Sequence, residues 1–235
     1  MSNNKSLNIS AGDVQNFKIV YCNENSIIKN LLKKEFLPYF NGRILDVGGG
    51  TADILSEIIP ERTVMHLDVL DFSEVKIPQA HRRVTGDFFN TKLLNSLMPI
   101  DMVFMSHVQQ FIDGDPNKLR SQIDLINAKR IILVEDLNDD FLGEVMRFSL
   151  TNFFDANPEV KIDGFPFGYE KIKSIPFMAT LTCPTYAELA KQCLYLMDLA
   201  HSDKNIVCMI EFLEKNLAVP QFSINQSINI YEKLV

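Results

Sequence analysis

The stretch Arg43-Ile44-Leu45-Asp46-Val47-Gly48-Gly49-Gly50-Thr51-Ala52-Asp53 limits the fold more than any other. Ile44 to Val47 is an apolar run of β type, as expected of a strand buried on both faces. Consecutive glycines then remove every Cβ from the turn. Ala52 to Ile59 follows with apolar residues at helical spacing, and Pro60 stops it. Strand, glycine turn and helix form the opening half of a Rossmann-like nucleotide site. The glycines let backbone approach a ligand closely, and the new helix points its N–H groups at that ligand.

The spacing of later acids sharpens this reading. A second strand-like run, Thr63 to Leu67, ends on Asp68. That is about 20 residues past the first strand, where a ribose-binding acid is expected. Asp71 is the competitor; Asp68 is favoured because it directly follows the apolar run. Arg83-Val84-Thr85 leads to Gly86-Asp87-Phe88-Phe89, Asp101 to Met105 leads to Ser106-His107, and a fifth strand is Arg130 to Asp136. Helices are expected at Thr91–Leu97 and Pro116–Ile126. Such alternation favours a parallel sheet covered by helices.

Residues 40 to 136 resemble the class I S-adenosylmethionine-dependent methyltransferases. Their first motif reads acid-x-Gly-x-Gly-x-Gly, and Asp46-Val47-Gly48-Gly49-Gly50-Thr51-Ala52 departs from it only in its last glycine. The resemblance implies an α/β, Rossmann-like, doubly wound and mainly parallel seven-stranded sheet. Helices would lie on both faces, with an N-terminal helical cap and a lid insertion. It also implies S-adenosylmethionine as cofactor and S-adenosylhomocysteine as product. Asp46 would orient the glycine loop and the cofactor amino group, with Gly48, Gly49 and Gly50 making room for the methionine part. Asp68 would accept from both ribose hydroxyls, and Val69 would touch the adenine. Asp87 would bind the adenine amino group and the Phe88 backbone a ring nitrogen. Ser106 and His107 would meet the methionine part. His107 is also a candidate general base. The alternatives are turn-capping roles for Asp46 and Asp87 and local packing for His107.

Length, at 235 residues, suits one domain with additions. Its expected parts are a cap over 1–40, a cofactor-binding half over 41–136, and a substrate-side and lid region over 137–235 that completes the same domain. Within the cap, Asn25–Phe40 should be a helix with Ile27, Ile28, Leu31, Leu32 and Phe36 on one face, and Tyr21, Asn23 and Tyr39 able to reach a ligand. Asp140–Phe154, Pro184–Leu199 and Asn205–Leu217 read as helices. Residues 155–183 read as an irregular, aromatic-rich excursion with one short strand near Met178–Cys183, of the kind used as a lid. Phe222–Tyr231 reads as a terminal strand. Tyr21, Gln110, Glu135, Phe148 and Tyr169 are the candidate substrate contacts.

The formal charge of −7 and pI near 5.1 argue against nucleic acid as partner, because that affinity rests on neutralising phosphates. No apolar run reaches membrane-spanning length, and the polar N-terminus lacks a signal-peptide core, so a cytoplasmic protein is expected. Cys22, Cys183, Cys193 and Cys208 and the histidines show no metal-ligand spacing. The expected function is methyl transfer to an oxygen or nitrogen of a small molecule, with a homodimer compatible. DNA amino-methylating relatives carry Asn/Asp-Pro-Pro-aromatic where this chain has Ser106-His107-Val108-Gln109. Two rivals stand beside it: another reaction of the same cofactor, by cyclisation or elimination, and a non-catalytic binding module.

Overall fold

The computed structural model describes residues 20–50, 53–59, 66–71, 82–107, 116–137, 139–153, 168–196 and 202–234. Helix α1 (Glu24–Leu31) runs into a π turn (Leu32–Phe36) and a 3-10 turn (Leu37–Tyr39). Then come β1 (Arg43–Val47), α2 (Asp53–Ser56), β2 (His66–Asp71), β3 (Arg82–Thr85), α3 (Thr91–Leu97), β4 (Met102–Ser106), α4 (Pro116–Ile126) and β5 (Arg130–Asp136). They are followed by α5 (Phe141–Phe153), β6 (Tyr169–Thr182), α6 (Tyr186–Leu196), α7 (Asp203–Asn216) and β7 (Gln221–Lys233).

The sheet is mixed, in the order β3-β2-β1-β4-β5-β7-β6. β3, β2, β1, β4 and β5 pair in parallel, and β7 runs antiparallel to β5. Beyond β7, at the edge of the sheet, lies β6. Its residues 169–182 are regular strand where the sequence predicted an irregular excursion, so this part of the expected lid belongs to the sheet. Residues 155–167 of that expectation lie outside the described residues.

The described chain falls into two compact units, Asn25–Asp136 with Val160–Phe177 and Gln226–Val235, and Met1–Glu24 with Leu137–Glu159 and Met178–Asn225. These limits differ from the expected three-part division. Asn25–Phe40, the second part of the cap expected over 1–40, belongs to the unit that holds the parallel strands.

In that unit the strands explain why helices cover both faces. Leu45, Val47, Val103, Met105, Ile131 and Leu133 point to one side, with Leu94 and Leu97 of α3 and Leu119, Ile123 and Ile126 of α4. Ile44, Met102, Phe104, Ile132 and Val134 point to the other, with Ile28 of α1, Leu32 and Phe36 of the π turn, and Leu55 of α2. Alternate residues of β1, β4 and β5 therefore need cover on both sides, as their continuous apolar runs require. Phe104 is fully buried among them, and truncating such a side chain to alanine costs about 3–5 kcal/mol.

The other unit has its own apolar centre, in which Leu142, Val145, Leu181, Leu189, Cys193, Met209, Leu213, Phe222 and Ile224 pack together. Phe148 stacks on Phe212 at 4.1 Å between ring centroids, and Phe141 lies 5.2 Å from Phe222. Asp140 caps α5 by accepting the Leu142 amide at 2.9 Å, and it also accepts the Asn225 amide.

Candidate functional site

In a parallel sheet wound in both directions, ligands settle beyond the carboxyl ends of the strands, where the winding reverses. Here the reversal falls between β1, whose outer neighbour is β2, and β4, whose outer neighbour is β5. Asp46 to Gly50 leave β1 at this point and Ser106-His107 leave β4 beside it.

Gly48 and Gly50 have φ of +67° and +53°, a region that side chains with a Cβ rarely adopt. The Gly48 amide donates to the Leu70 carbonyl at 2.8 Å, tying the loop to β2. An Arg83 guanidinium N–H donates to the Gly50 carbonyl, tying it to β3. The sequence shows Arg83 only as the start of the third strand. Asp46 is buried at the end of β1, in register with Phe104 of β4 and Val69 of β2. Of the helix expected over Ala52–Ile59, the structure describes a turn at Asp53–Ser56 followed by turn residues to Ile59, and Ala52 lies outside the described residues.

The second acid needs correction. β2 does not end on Asp68. It runs His66–Asp71, with Asp68 level with Leu45 in the middle of β1. Leu70 pairs with Val47, and Asp71 comes next, level with Thr85 of β3. The carboxyl-edge acid is therefore Asp71, and Val69 sits two positions before that edge. Asp87 follows β3 as expected. Its Oδ1 accepts the Phe89 amide at 2.8 Å, so it shapes its own turn, and its carboxyl group is exposed. The Phe88 ring is buried in the core, which leaves only its backbone for a ligand.

His107 leaves β4 with φ +56°, uncommon for a non-glycine residue. Its amide donates to the Val134 carbonyl at 3.2 Å. Its Nδ1 lies 3.3 Å from Asp136 Oδ2, with the imidazole 10% and the carboxyl 31% exposed. Asp136 Oδ1 accepts Gln226 Nε2 at 2.7 Å from β7. Next to it, Glu135 Oε2 accepts Asn229 Nδ2 at 2.8 Å, and that nitrogen also reaches Ser227 Oγ at 2.9 Å. Gln226 was missed in the sequence. The available signal was the polar run Asn225-Gln226-Ser227, which interrupts the alternation of Phe222, Ile224, Ile228 and Ile230.

Other predicted contacts have partners of their own. Tyr169 donates its hydroxyl to the Ala128 carbonyl at 2.7 Å, just before β5 begins, so it stands at the amino end of the strands. Burial there, with Asp124 nearby, pushes its phenol up to about 12. Tyr39 is at the same end, under the Arg130 and Lys173 cations. In the other unit, Asn23 Oδ1 accepts the Thr180 amide at 2.7 Å, Tyr21 packs on the apolar centre, and Phe148 is engaged in ring stacking. These side chains serve packing or strand docking. Gln110 lies outside the described residues. Cys183 and Cys193 are buried, and burial pushes the Cys183 thiol up to about 12. Among the described residues there is no metal-binding group of three or more His, Cys, Asp or Glu side chains, and no helix is long and apolar enough to cross a membrane.

No known protein family and no curated protein matches the sequence. Solved structures do. A SAM-dependent methyltransferase from Archaeoglobus fulgidus is 21% identical over 89% of this chain and 94% of its own, with a TM-score of 0.50. A structure described as converting a disulfide bond into a thioacetal group during echinomycin biosynthesis is 12% identical over 87% of this chain and 80% of its own, also with a TM-score of 0.50. With the strand order and the glycine loop at the reversal point, these likenesses show that the chain has the fold of the class I S-adenosylmethionine-dependent methyltransferases.

Proposed function

We propose that the chain is an S-adenosylmethionine-dependent methyltransferase acting on an oxygen or nitrogen of a small molecule. The observation that carries this reading is the glycine loop at the winding reversal, held open by positive φ at Gly48 and Gly50 and followed along the same edge by acids. The donor chemistry of the cofactor fits that edge. Its ammonium, ribose hydroxyls and adenine amino group all donate hydrogen bonds, and Asp46, Asp71 and Asp87 are acceptors at the ends of successive strands. Asp46 would hold the ammonium, Asp71 the ribose and Asp87 the adenine, with the Phe88 backbone beside it.

When bound, the cofactor supplies a methyl group that is already electrophilic on its sulfonium. The chain's own task is to hold the acceptor in line, exclude water, and take a proton where the acceptor carries one. In this reading His107 would take that proton and Glu135 would contact the acceptor. The formal charge of −7 and the acids along this edge oppose phosphate-rich acceptors.

The test is incubation with S-adenosylmethionine and fractionated small metabolites, with mass analysis of both products. S-adenosylhomocysteine formed together with a singly methylated acceptor is expected. Methylthioadenosine instead would assign the chain to cyclisation or elimination chemistry. Neither product, with no cofactor binding, would make it a binding module of another kind.

A further inference from the structure

We infer that Asp136 and Gln226 are positioning residues that hold the His107 imidazole in the tautomer protonated on Nδ1. Nε2, a buried atom in this structure, is then the unprotonated ring nitrogen and would receive the proton of an acceptor bound against it. The inference rests on the proposed function for the acceptor side, but its geometry stands on the fold alone.

Four restraints converge on this ring. The His107 amide is held by the Val134 carbonyl at 3.2 Å, which fixes the backbone one residue past β4. The left-handed φ of +56° then turns the chain out of the strand direction at His107. Asp136 faces Nδ1 at 3.3 Å. A carboxylate has no hydrogen to give, so the hydrogen of this contact belongs to Nδ1. Gln226 supplies the fourth restraint. It pairs with Asp136 in the β5–β7 ladder, and its Nε2 donates to Asp136 Oδ1 at 2.7 Å. One carboxyl oxygen is thereby engaged by Gln226, and the other is turned to the imidazole. Glu135, the neighbouring acid, is held separately by Asn229 at 2.8 Å and does not take this place.

In the reaction, the acceptor atom forms its bond to the methyl carbon with its own electron pair. The S–C bond breaks with its electrons to sulfur, and the acceptor's proton passes to Nε2, then to water. Loss of a positioned base costs on the order of 100- to 10,000-fold in rate.

A ring merely bridging β4 and β5 through Asp136 would also carry Nδ1–H, so the tautomer is read together with turnover and KM. Two-bond 15N–1H spectra of the ligand-free protein, recorded above the imidazole titration range, report which nitrogen is protonated, and a His107→Gln variant assigns the signal. The wild type should show Nδ1–H, and Nε2–H would overturn the inference even if every variant failed to fold. In Asp136→Asn, the Gln226 donor engages the new carbonyl oxygen and leaves the amide nitrogen facing Nδ1. The ring should switch to Nε2–H. Turnover should fall at least about 100-fold with little change in KM for the acceptor. Adding Gln226→Met frees that amide to rotate, and Nδ1–H with part of the turnover should return. An unswitched tautomer in folded Asp136→Asn overturns the inference. Calorimetry with S-adenosylhomocysteine separates the two readings: its failure in the wild type sinks the methyltransferase, whereas a wrong tautomer sinks only the positioning role.

Discussion

At the amino edge of the parallel strands, charge meets charge. Asp101 accepts the Arg43 amide at 3.0 Å and lies 3.4 Å from the Lys129 ammonium. Arg130 pairs with Glu232 at 2.9 Å and donates to the Tyr39 carbonyl at 3.2 Å, and Lys173 pairs with Glu35 at 3.0 Å. At the carboxyl edge of the same strands, acids follow one another at Asp46, Asp71, Asp87 and Asp136. The backbone there enters the left-handed region at Gly48, Gly50 and His107. Each surface pair of the first edge is worth only about 0–1 kcal/mol, yet together the pairs order the strand starts. Left-handed backbone marks both edges, at Gly42 and Asn127 on the first as well, so the second is set apart by its run of acids beside a glycine loop. The difference teaches that one end of these strands is tied by ion pairs, while the other carries the loop and acids to which the proposed function assigns the ligand.

Substitutions at the first edge should therefore change stability and leave ligand affinity alone, and those at the second should do the reverse. The largest effect is expected at Gly42. Its φ is +62°, and an added Cβ would sit 2.2 Å from Asp101 Oδ2. Gly42→Ala combines backbone strain with loss of the Arg43–Asp101 cap, so about 2–3 kcal/mol should be lost in urea unfolding. Affinity for S-adenosylhomocysteine should not change.

At the opposite edge, Asp71→Ala should weaken S-adenosylhomocysteine by about 10- to 100-fold in calorimetry, through loss of charge-assisted bonds to the ribose. Asp68→Ala should stay within about twofold, since Asp68 lies in mid-strand. Reversal of that ranking would break the comparison.

A smaller effect follows from Asp101. The Arg43 amide, followed by Lys129, holds its carboxyl below the ordinary aspartate value of 3.8. A folded value depressed in this way gives stability that is present above the unfolded value and lost as pH falls through the folded one. Asp101→Asn should thus be less stable than the parent by about 0.5–1 kcal/mol near pH 6, after screening at this partly exposed site. The two urea midpoints should converge towards pH 2. A constant gap would assign the loss to packing instead.

The smallest is at Tyr169. Its phenol is raised to about 12, so its contribution is complete below pH 10 and lost as pH rises towards 12. Tyr169→Phe should cost about 0.5–1 kcal/mol at neutral pH. It should remove one late-titrating phenol from the alkaline absorbance curve.

The parts of this fold that could be read from sequence are those where pattern and position coincide. β5 and α4 begin and end where the Arg130–Asp136 run and Pro116 place them. β2 shows the opposite case. In His66-Leu67-Asp68-Val69-Leu70-Asp71 an acid follows an apolar residue twice, and only the register with β1 decides which acid stands at the edge. β6 was hidden because Glu170, Lys171, Lys173 and Pro176 suit an exposed edge strand as well as a loop. The glycine loop was legible from its glycines, whereas its clamp by Arg83 and the support of Asp136 by Gln226 are tertiary pairings with no local pattern. His107 was visible as a histidine at a strand end; the acid beside its Nδ1 came from the neighbouring strand.

The most direct test of the two-edge account is amide hydrogen exchange with and without saturating S-adenosylhomocysteine. Protection should rise at 46–50, 69–71, 87–89 and 106–107 and stay unchanged at 42–43, 101–102, 127–131 and 168–173. Protection gained at the amino edge, or none gained at the carboxyl edge in the presence of the ligand, would contradict the account.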